Sequence, residues 1–432
     1  MYAEPHQMEP MLPKRHRAQL EELATELLRR SAALGGRLPG PTRRTLVEVL
    51  RQMNSYYSNL IEGHNTHPLE IERALNRDLS NDPAQRELQL ESLAHVEVQR
   101  RIEERLRLEP ELVLTSIDFL SWVHAEFYAL VPDGFRVIRD SRGEAHSFEP
   151  GELRKRDVEV GRHIPPTSSS VPEFMRRFQE AYDQSKLGPL ERIYAAAAAH
   201  HRFAWIHPFQ DGNGRVARLF TDAWFAKACV DSHGLWTISR GLGRNATRYK
   251  QMLARADEPR MGDYDGRGNL SDRALGEFSV FFLETALDQV EFMSGLLDFG
   301  TVHNRIRGYV ERRAAANELR PQAFHVIWQA LLEGEIARGE VGRIAGMPDR
   351  TARLLIGELL SQGLLLSDSP KGLLRLGLPL HAVAYYFPRL FPEGIEESLL
   401  ASAPPPLATT PRPTARGNSR ASTVRRQRGH RD

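Results

Sequence analysis

The sequence predicts a mainly α-helical protein with one small β-hairpin, followed by a C-terminal unit of three short helices and a second hairpin. Three observations lead there. Apolar residues recur at helical spacing through most of the first 300 positions, as at Leu20, Leu23, Leu27 and Leu28. The texture changes once in that span, at 132–172, where short β-type runs are broken by Gly, Ser and Pro. After residue 318 the helical runs shorten and end in two leucine-rich stretches joined by Ser-Asp-Ser-Pro-Lys-Gly.

At 432 residues the chain exceeds one ordinary domain, and 41% hydrophobic residues suffice for real cores. A single cysteine, Cys229, excludes a disulfide framework and fits a reducing compartment. No apolar run reaches the length of a membrane span and no secretory signal is present, so a cytoplasmic protein without membrane association is expected. The net charge of +2 divides unevenly. Residues 402–432 carry seven arginines and one aspartate, or +6, leaving about −4 on the body. The body as a whole is therefore not a basic nucleic-acid binder.

Taken in order, residues 1–15 read as extended and 19–34 as an amphipathic helix. Gly-Gly and Pro-Gly-Pro punctuation precedes a second helix at 42–60. Helices fill 66–130, with a highly charged one at 85–108; His95 and His124 read as structural groups on helical faces. Within 132–172, residues 135–138 and 157–160 have β character and make the hairpin. Helices at 171–183 and 190–204 follow, the latter with alanines at 195–199 that allow close packing. Residues 239–256 and 271–295 complete the bundle, and 305–321 is a charged helical connector. Then come helices at 322–333, 340–346 and 350–362, the last with Asp349 as N-cap, and the hairpin of 364–366 with 373–376. Residues 401–432, rich in Pro, Ser, Thr and Arg, read as a disordered tail.

Chemistry concentrates in residues 206–218, IHPFQDGNGRVAR. Asp211-Gly212-Asn213-Gly214 disfavours helix, whereas the residues after it form one readily, so the stretch is a tight turn feeding a helix N-terminus. Backbone N–H groups and the helix dipole at such a turn attract anions. Arg215 and Arg218 are three apart, on one face of the first turn. Asp211 is a hard oxygen ligand suited to phosphate-bound Mg²⁺, and His207 is the group nearby that can move a proton near neutral pH. Alternatives are a bare turn, an EF-hand, a dinucleotide loop or a zinc site. The EF-hand fails at Phe209 and Phe220, the dinucleotide pattern follows a helical run and recurs at Gly241, and zinc lacks a second ligand pair.

HPFQDGNGRVAR resembles the signature of the Fic family, H-x-F-x-[DE]-G-N-G-R-x-x-R, at every defined position. The resemblance implies a helical bundle that transfers AMP from ATP to a Ser, Thr or Tyr hydroxyl of a target protein. It makes His207 the base, Asp211 the Mg²⁺ ligand and Phe209 the anchor of the loop. Gly212, Asn213 and Gly214 become the anion hole, with Arg215 and Arg218 on the outer phosphates. Ser58-Asn59-Leu60-Ile61-Glu62-Gly63 is similar to the family's inhibitory motif, whose glutamate pairs with the second arginine, here Arg218; read alone, Glu62 is a last-turn carboxylate before a C′ glycine. Tyr249 and Asp257 would lie at adenine and ribose, although Asp257 stands where some relatives have asparagine, and both could equally be structural. The hairpin is similar to the family's flap, with 161–166 as its tip, which aligns target peptides by strand addition; otherwise it is a surface hairpin.

The C-terminal unit resembles a winged helix-turn-helix offering Arg350, Thr351 and Arg353, for DNA contact or for dimerisation and protein docking. Expected divisions are 1–110, an N-terminal region with the inhibitory helix; 111–300, the catalytic domain; 301–318, the connector; 319–380, the winged helix; 381–400, an extension; and 401–432, the tail. Rival readings are removal of AMP or transfer of another phosphate-linked group at the same site, and a transcription regulator acting through the winged helix. A homodimer and a DNA complex are the further expected partners.

Overall fold

The computed structural model describes residues 2–139 and 143–402 and is mainly helical. The tail expected at 401–432 lies, from residue 403 on, outside the described residues. Helices α1 (Arg17–Gly35) and α2 (Gly40–Ile61) overrun their expected bounds by two residues or fewer at each end. Next come α3 (Pro68–Leu75), α4 (Pro83–Leu108) and α5 (Ile117–Ala129). Ser116 caps α5 by accepting from the Phe119 amide at 3.1 Å.

The hairpin differs from expectation. Strand β1 (Val137–Arg139) pairs antiparallel with β2 (Ala145–Ser147), not with 157–160. In the latter segment Gly161 takes φ +62° and the chain doubles back after a single bridge between Val160 and His163. Pro165 and Pro166, which have no N–H to donate, then prevent a longer ladder.

Helix α6 (Val171–Ala181) precedes α7 (Pro189–Ile206), the axis of the bundle. Its alanines 195–199 are all buried, so α1, α6, α8 (Asn213–Lys227) and α11 (Asp272–Leu296) approach it closely. The helix expected over 239–256 is two, α9 (Ile238–Arg244) and α10 (Ala246–Ala256). Asn245 breaks it, turning its side chain to accept from the Arg248 amide at 3.2 Å. Helix α12 (Phe299–Ala315) starts before the expected connector because Asp298 caps it through the Thr301 amide at 3.0 Å.

The C-terminal elements are α13 (Ala323–Glu333), β3 (Glu335–Ile336), α14 (Val341–Ile344), α15 (Asp349–Ser361), β4 (Leu365–Leu366) and β5 (Leu374–Leu376). The strands form an antiparallel sheet in the order β3-β5-β4. Pro348 rather than Asp349 is the N-cap of α15; Asp349 lies inside the first turn, where its charge complements the helix dipole. Helices α16 (Leu380–Tyr386) and α17 (Glu393–Ala401) follow. These elements grip α2 and its continuation. Thr42 Oγ1 donates to the Leu331 carbonyl at 2.9 Å, Phe391 meets Tyr56 edge-on, and Ser398 Oγ lies 2.7 Å from His67 Nε2.

The N-terminal stretch is not simply extended. Pro5–Met8 makes one 3₁₀ turn, and the strand-like residues after it are tied to the bundle. The Leu270 amide donates to the Glu9 carbonyl at 3.0 Å and Arg202 to the Pro10 carbonyl at 2.8 Å. Among the described residues no helix is long and apolar enough to cross a membrane.

Candidate active site at the start of helix α8

Helix α7 ends at Ile206, and His207 follows in the left-handed region at φ 51°. Phe209 is fully buried and its ring stacks on His124 at 4.2 Å. Asn213 then closes the loop. The Phe209 amide donates to Asn213 Oδ1 at 2.9 Å, and Asn213 Nδ2 donates to the Phe209 carbonyl at 2.8 Å. Gly212 sits at φ +74°, and a Cβ there would come within 2.9 Å of Tyr128 Oη. Only glycine meets both constraints. Helix α8 begins at Asn213, so the amides of its first turn have no intrahelical acceptor and point at the space in front of the loop.

That space is a cavity of about 990 Å³ whose lining includes His207, Asn213, Gly214, Arg218, Tyr249, Asp257 and Glu62. Burial pushes the His207 imidazole down to about 4, so it is neutral at physiological pH. The nearby Ala204 backbone favours a proton on the ring, and a neutral imidazole keeps one of its two nitrogens as an acceptor. Arg154 fixes the backbone at this point, its Nε donating to the His207 carbonyl at 2.8 Å.

The two arginines of the loop do not share a task here. Arg218 is buried beneath the cavity and faces α2: its Nε donates to Ser58 Oγ at 2.9 Å, and one terminal nitrogen donates to the Ser58 carbonyl at 3.0 Å and to Glu62 Oε1 at 2.6 Å. Arg215, expected on the same face, is absent from the cavity lining. It turns to α4, pairing with the wholly buried carboxylate of Glu91, and lies over the Phe127 ring at 5.3 Å. The reason is charge: the Glu91 carboxylate is wholly buried and draws the Arg215 guanidinium to it, beside His64 Nδ1 at 2.7 Å.

Glu62 brings its carboxylate to the start of α8. A Cβ on Gly214 would overlap Glu62 Oε1, so the carboxylate rests against the first turn of α8 as well as on Arg218. Burial disfavours its charge, but the Arg218 and Arg215 guanidinium groups outweigh that and hold the carboxyl below its usual range.

Residues 116–225, from the cap of α5 into the last turns of α8, match the Fic/DOC family. That stretch is therefore similar to the Fic/DOC family. Among curated relatives, the protein adenylyltransferase Fic of Nematostella vectensis is 30% identical over 196 residues, 44% of this chain and 40% of that protein. That of Drosophila mojavensis is 34% identical over 103 residues, 24% of this chain and 20% of that protein. The chain thus spans two fifths or less of the length of these relatives. A solved Fic family protein from Desulfovibrio desulfuricans G20 covers 82% of this chain and 95% of its own, with a TM-score of 0.46 at 18% identity.

Several groups around the Fic loop escaped the sequence reading. His124, taken as structural, carries the loop: its Nε2 lies 3.2 Å from the Asp211 carbonyl and its Nδ1 accepts from the Gly151 amide at 2.8 Å. Tyr128 Oη donates to Asp211 Oδ2 at 2.8 Å, which leaves Oδ1 without a hydrogen bond among the described residues. One carboxylate oxygen beside a phosphate site fits Mg²⁺, which takes its remaining ligands from water and phosphate. No cluster of three His, Cys, Asp or Glu side chains among the described residues could hold a metal by itself. Tyr249 and Asp257 both reach the cavity but are also anchored, Tyr249 Oη at 2.6 Å from His200 Nε2 and Asp257 Oδ1 at 3.1 Å from His201 Nε2.

Proposed function

We propose that the protein is an adenylyltransferase that transfers AMP from ATP to a Ser, Thr or Tyr hydroxyl of a target protein, and that Glu62 holds it inactive. One observation carries the reading: a neutral His207 with an open acceptor nitrogen stands beside the unpaired amides of α8, at a cavity large enough for a nucleotide. The similar adenylyltransferases of Nematostella vectensis and Drosophila mojavensis support the same reaction class.

In this mechanism the amides at Asn213 and Gly214 and the Arg218 guanidinium receive the phosphates. Arg215, tied to Glu91, acts by its positive charge behind the loop rather than by a direct contact. His207 takes the proton of the target hydroxyl as its oxygen attacks the α-phosphorus. The bond from that phosphorus to the bridging oxygen breaks, and pyrophosphate leaves. Asp211 would hold Mg²⁺, which neutralises phosphate charge when bound. Tyr249 and Asp257 border the region left for adenine and ribose. Incubation with α-labelled ATP, Mg²⁺ and a cell extract tests the reading; label entering no protein, from wild type or from a Glu62 variant, defeats it.

The position of Glu62 also favours a second reading. Its carboxylate lines the same cavity as His207 and is about one-third exposed, so it could orient a water against an AMP-modified hydroxyl. Loss of AMP from a modified target by wild type, and not by Glu62→Gly, would select this reaction.

The depressed His207 sets the pH profile. An ordinary histidine would lose activity as a base below about 6.5. Here kcat/KM for transfer by an uninhibited variant should stay level from about pH 8 to about pH 5.5 and fall only toward 4. A midpoint near the ordinary value would mean that the working imidazole is solvated.

The C-terminal helices and sheet are read as a winged helix. Arg350 and Arg353 at the start of α15 are exposed, which supports DNA contact, while exposed Leu354, Leu366 and Leu373 support docking or self-association. If DNA is the partner, replacing both arginines with alanine should weaken binding uniformly and flatten the salt dependence by about two units of slope. Failure of the wild-type chain to retard any genomic fragment at low salt would leave dimerisation or docking.

A further inference from the structure

The stretch before α1 forms one wall of the nucleotide cavity, although it lies far from residues 116–225. Tyr2 and Gln7 line that cavity together with Trp205, His207 and Asp257. The stretch is pinned in place. Met8 and Met11 are buried, Glu9 pairs with Arg177, and Tyr182 Oη donates to the Met11 carbonyl. The Tyr2 carbonyl accepts from the Thr167 amide at 2.9 Å, and its ring lies 4.7 Å from that of Trp205.

A chain of hydrogen bonds joins this stretch to Asp257. Arg202 donates from one terminal nitrogen to the Pro10 carbonyl and from the other to His201 Nδ1, both at 2.8 Å. His201 Nε2 therefore carries the ring proton and faces Asp257 Oδ1 at 3.1 Å. Burial and the Asp257 charge together raise the Tyr2 phenol, so Tyr2 and Asp257 share one end of the cavity.

Two side chains at that end each have one atom committed and one open. Gln7 Oε1 accepts from the Ala3 and Glu4 amides at 2.7 and 2.9 Å. Two backbone donors require the oxygen there, so the side-chain amide cannot turn over. Its Nε2 is left as a donor with no partner among the described residues. Asp257 Oδ2 makes no hydrogen bond among the described residues, with His163 Nδ1 3.7 Å away. Both residues are partly exposed, so an occupant of the cavity can reach them.

Adenine offers the reverse pair, a 6-amino donor beside a ring-nitrogen acceptor. Resting on the reading of ATP as substrate, we propose that Gln7 Nε2 donates to a ring nitrogen of adenine while the 6-amino group donates to Asp257 Oδ2. The stretch before α1 thus supplies a base-binding residue from outside the bundle that carries the loop.

The test compares the full Glu62→Gly chain with the same chain carrying Gln7→Glu, using α-labelled ATP, Mg²⁺ and a cell extract. Gln7→Glu keeps the oxygen that the Ala3 and Glu4 amides need and replaces the free amide by an acceptor, so a merely structural Gln7 would tolerate it. The KM for ATP should rise about tenfold with kcat within about twofold, the pattern for lost ground-state binding. That penalty should disappear with 1-deaza-ATP or with 7-deaza-ATP, whichever lacks the nitrogen that Gln7 meets. The same analogue should bind the Glu62→Gly chain severalfold more weakly than ATP, a comparison that needs no change at residue 7. The proposal is overturned if Gln7→Glu leaves the KM for ATP unchanged or lowers kcat alone, or if neither analogue binds more weakly than ATP. No α-label transfer by the Glu62→Gly chain would instead defeat the transfer reading, and the proposal with it.

Discussion

A Glu62→Gly chain should transfer AMP on the order of 10²-fold faster than wild type, and Arg218→Ala should cancel the gain. Glu62 Oε1 lies 2.6 Å from Arg218 and rests against Gly214, the two places where, on the proposed function, phosphate oxygens of ATP would be received. A carboxylate there both fills the guanidinium fork and sets negative charge against the incoming phosphate. ATP need not be excluded for the block to work; tilting the α-phosphate away from the hydroxyl suffices. The Glu62 carboxyl is held below its ordinary range, so mild acid should not release the latch. Initial rates with α-labelled ATP measure the effect. A Glu62→Gly chain no faster than wild type would mean that the contact is structural, or that Glu62 serves the reverse reaction.

His207→Ala in the Glu62→Gly background should lower transfer by about 10² to 10⁴ while leaving the ATP affinity within a few-fold. The side chain touches none of the hydrogen bonds that close the loop, which run between Phe209 and Asn213, and its backbone is held separately by Arg154. The substitution therefore removes the base and spares the anion cradle. Unchanged label transfer would remove His207 from the mechanism; equal loss of nucleotide binding would make it a binding group instead.

How much of this was legible depends on distance along the chain. The loop from His207 to Arg218 is contiguous, and its turn chemistry, glycine pattern and helix start could be read from residue type alone. The Ser58–Glu62 partnership with Arg218 spans 156 to 160 positions and became readable only through resemblance to a family motif. Arg215 misled because helical spacing fixes direction from the axis but not the neighbour met there. Nothing in the sequence announces that a buried Glu91, 124 positions away, claims its guanidinium. His124 and Tyr128 hide for the same reason, since an aromatic or histidine on an apolar helix reads as core until the loop it supports is in place. The hairpin was misplaced because residues 157–160 have strand-like side chains, while the positive φ of Gly161 and the following prolines turn the backbone away. Asn245 shows the converse: a polar residue at helical spacing can cap a new helix rather than continue the old one.

The most direct test of the account is to incubate the Glu62→Gly chain with α-labelled ATP in one reaction and γ-labelled ATP in another, each with Mg²⁺ and a cell extract. The account predicts that protein takes up the α label alone and that uptake vanishes when His207→Ala is added. Uptake of the γ label, or α-label uptake that survives loss of His207, would contradict it.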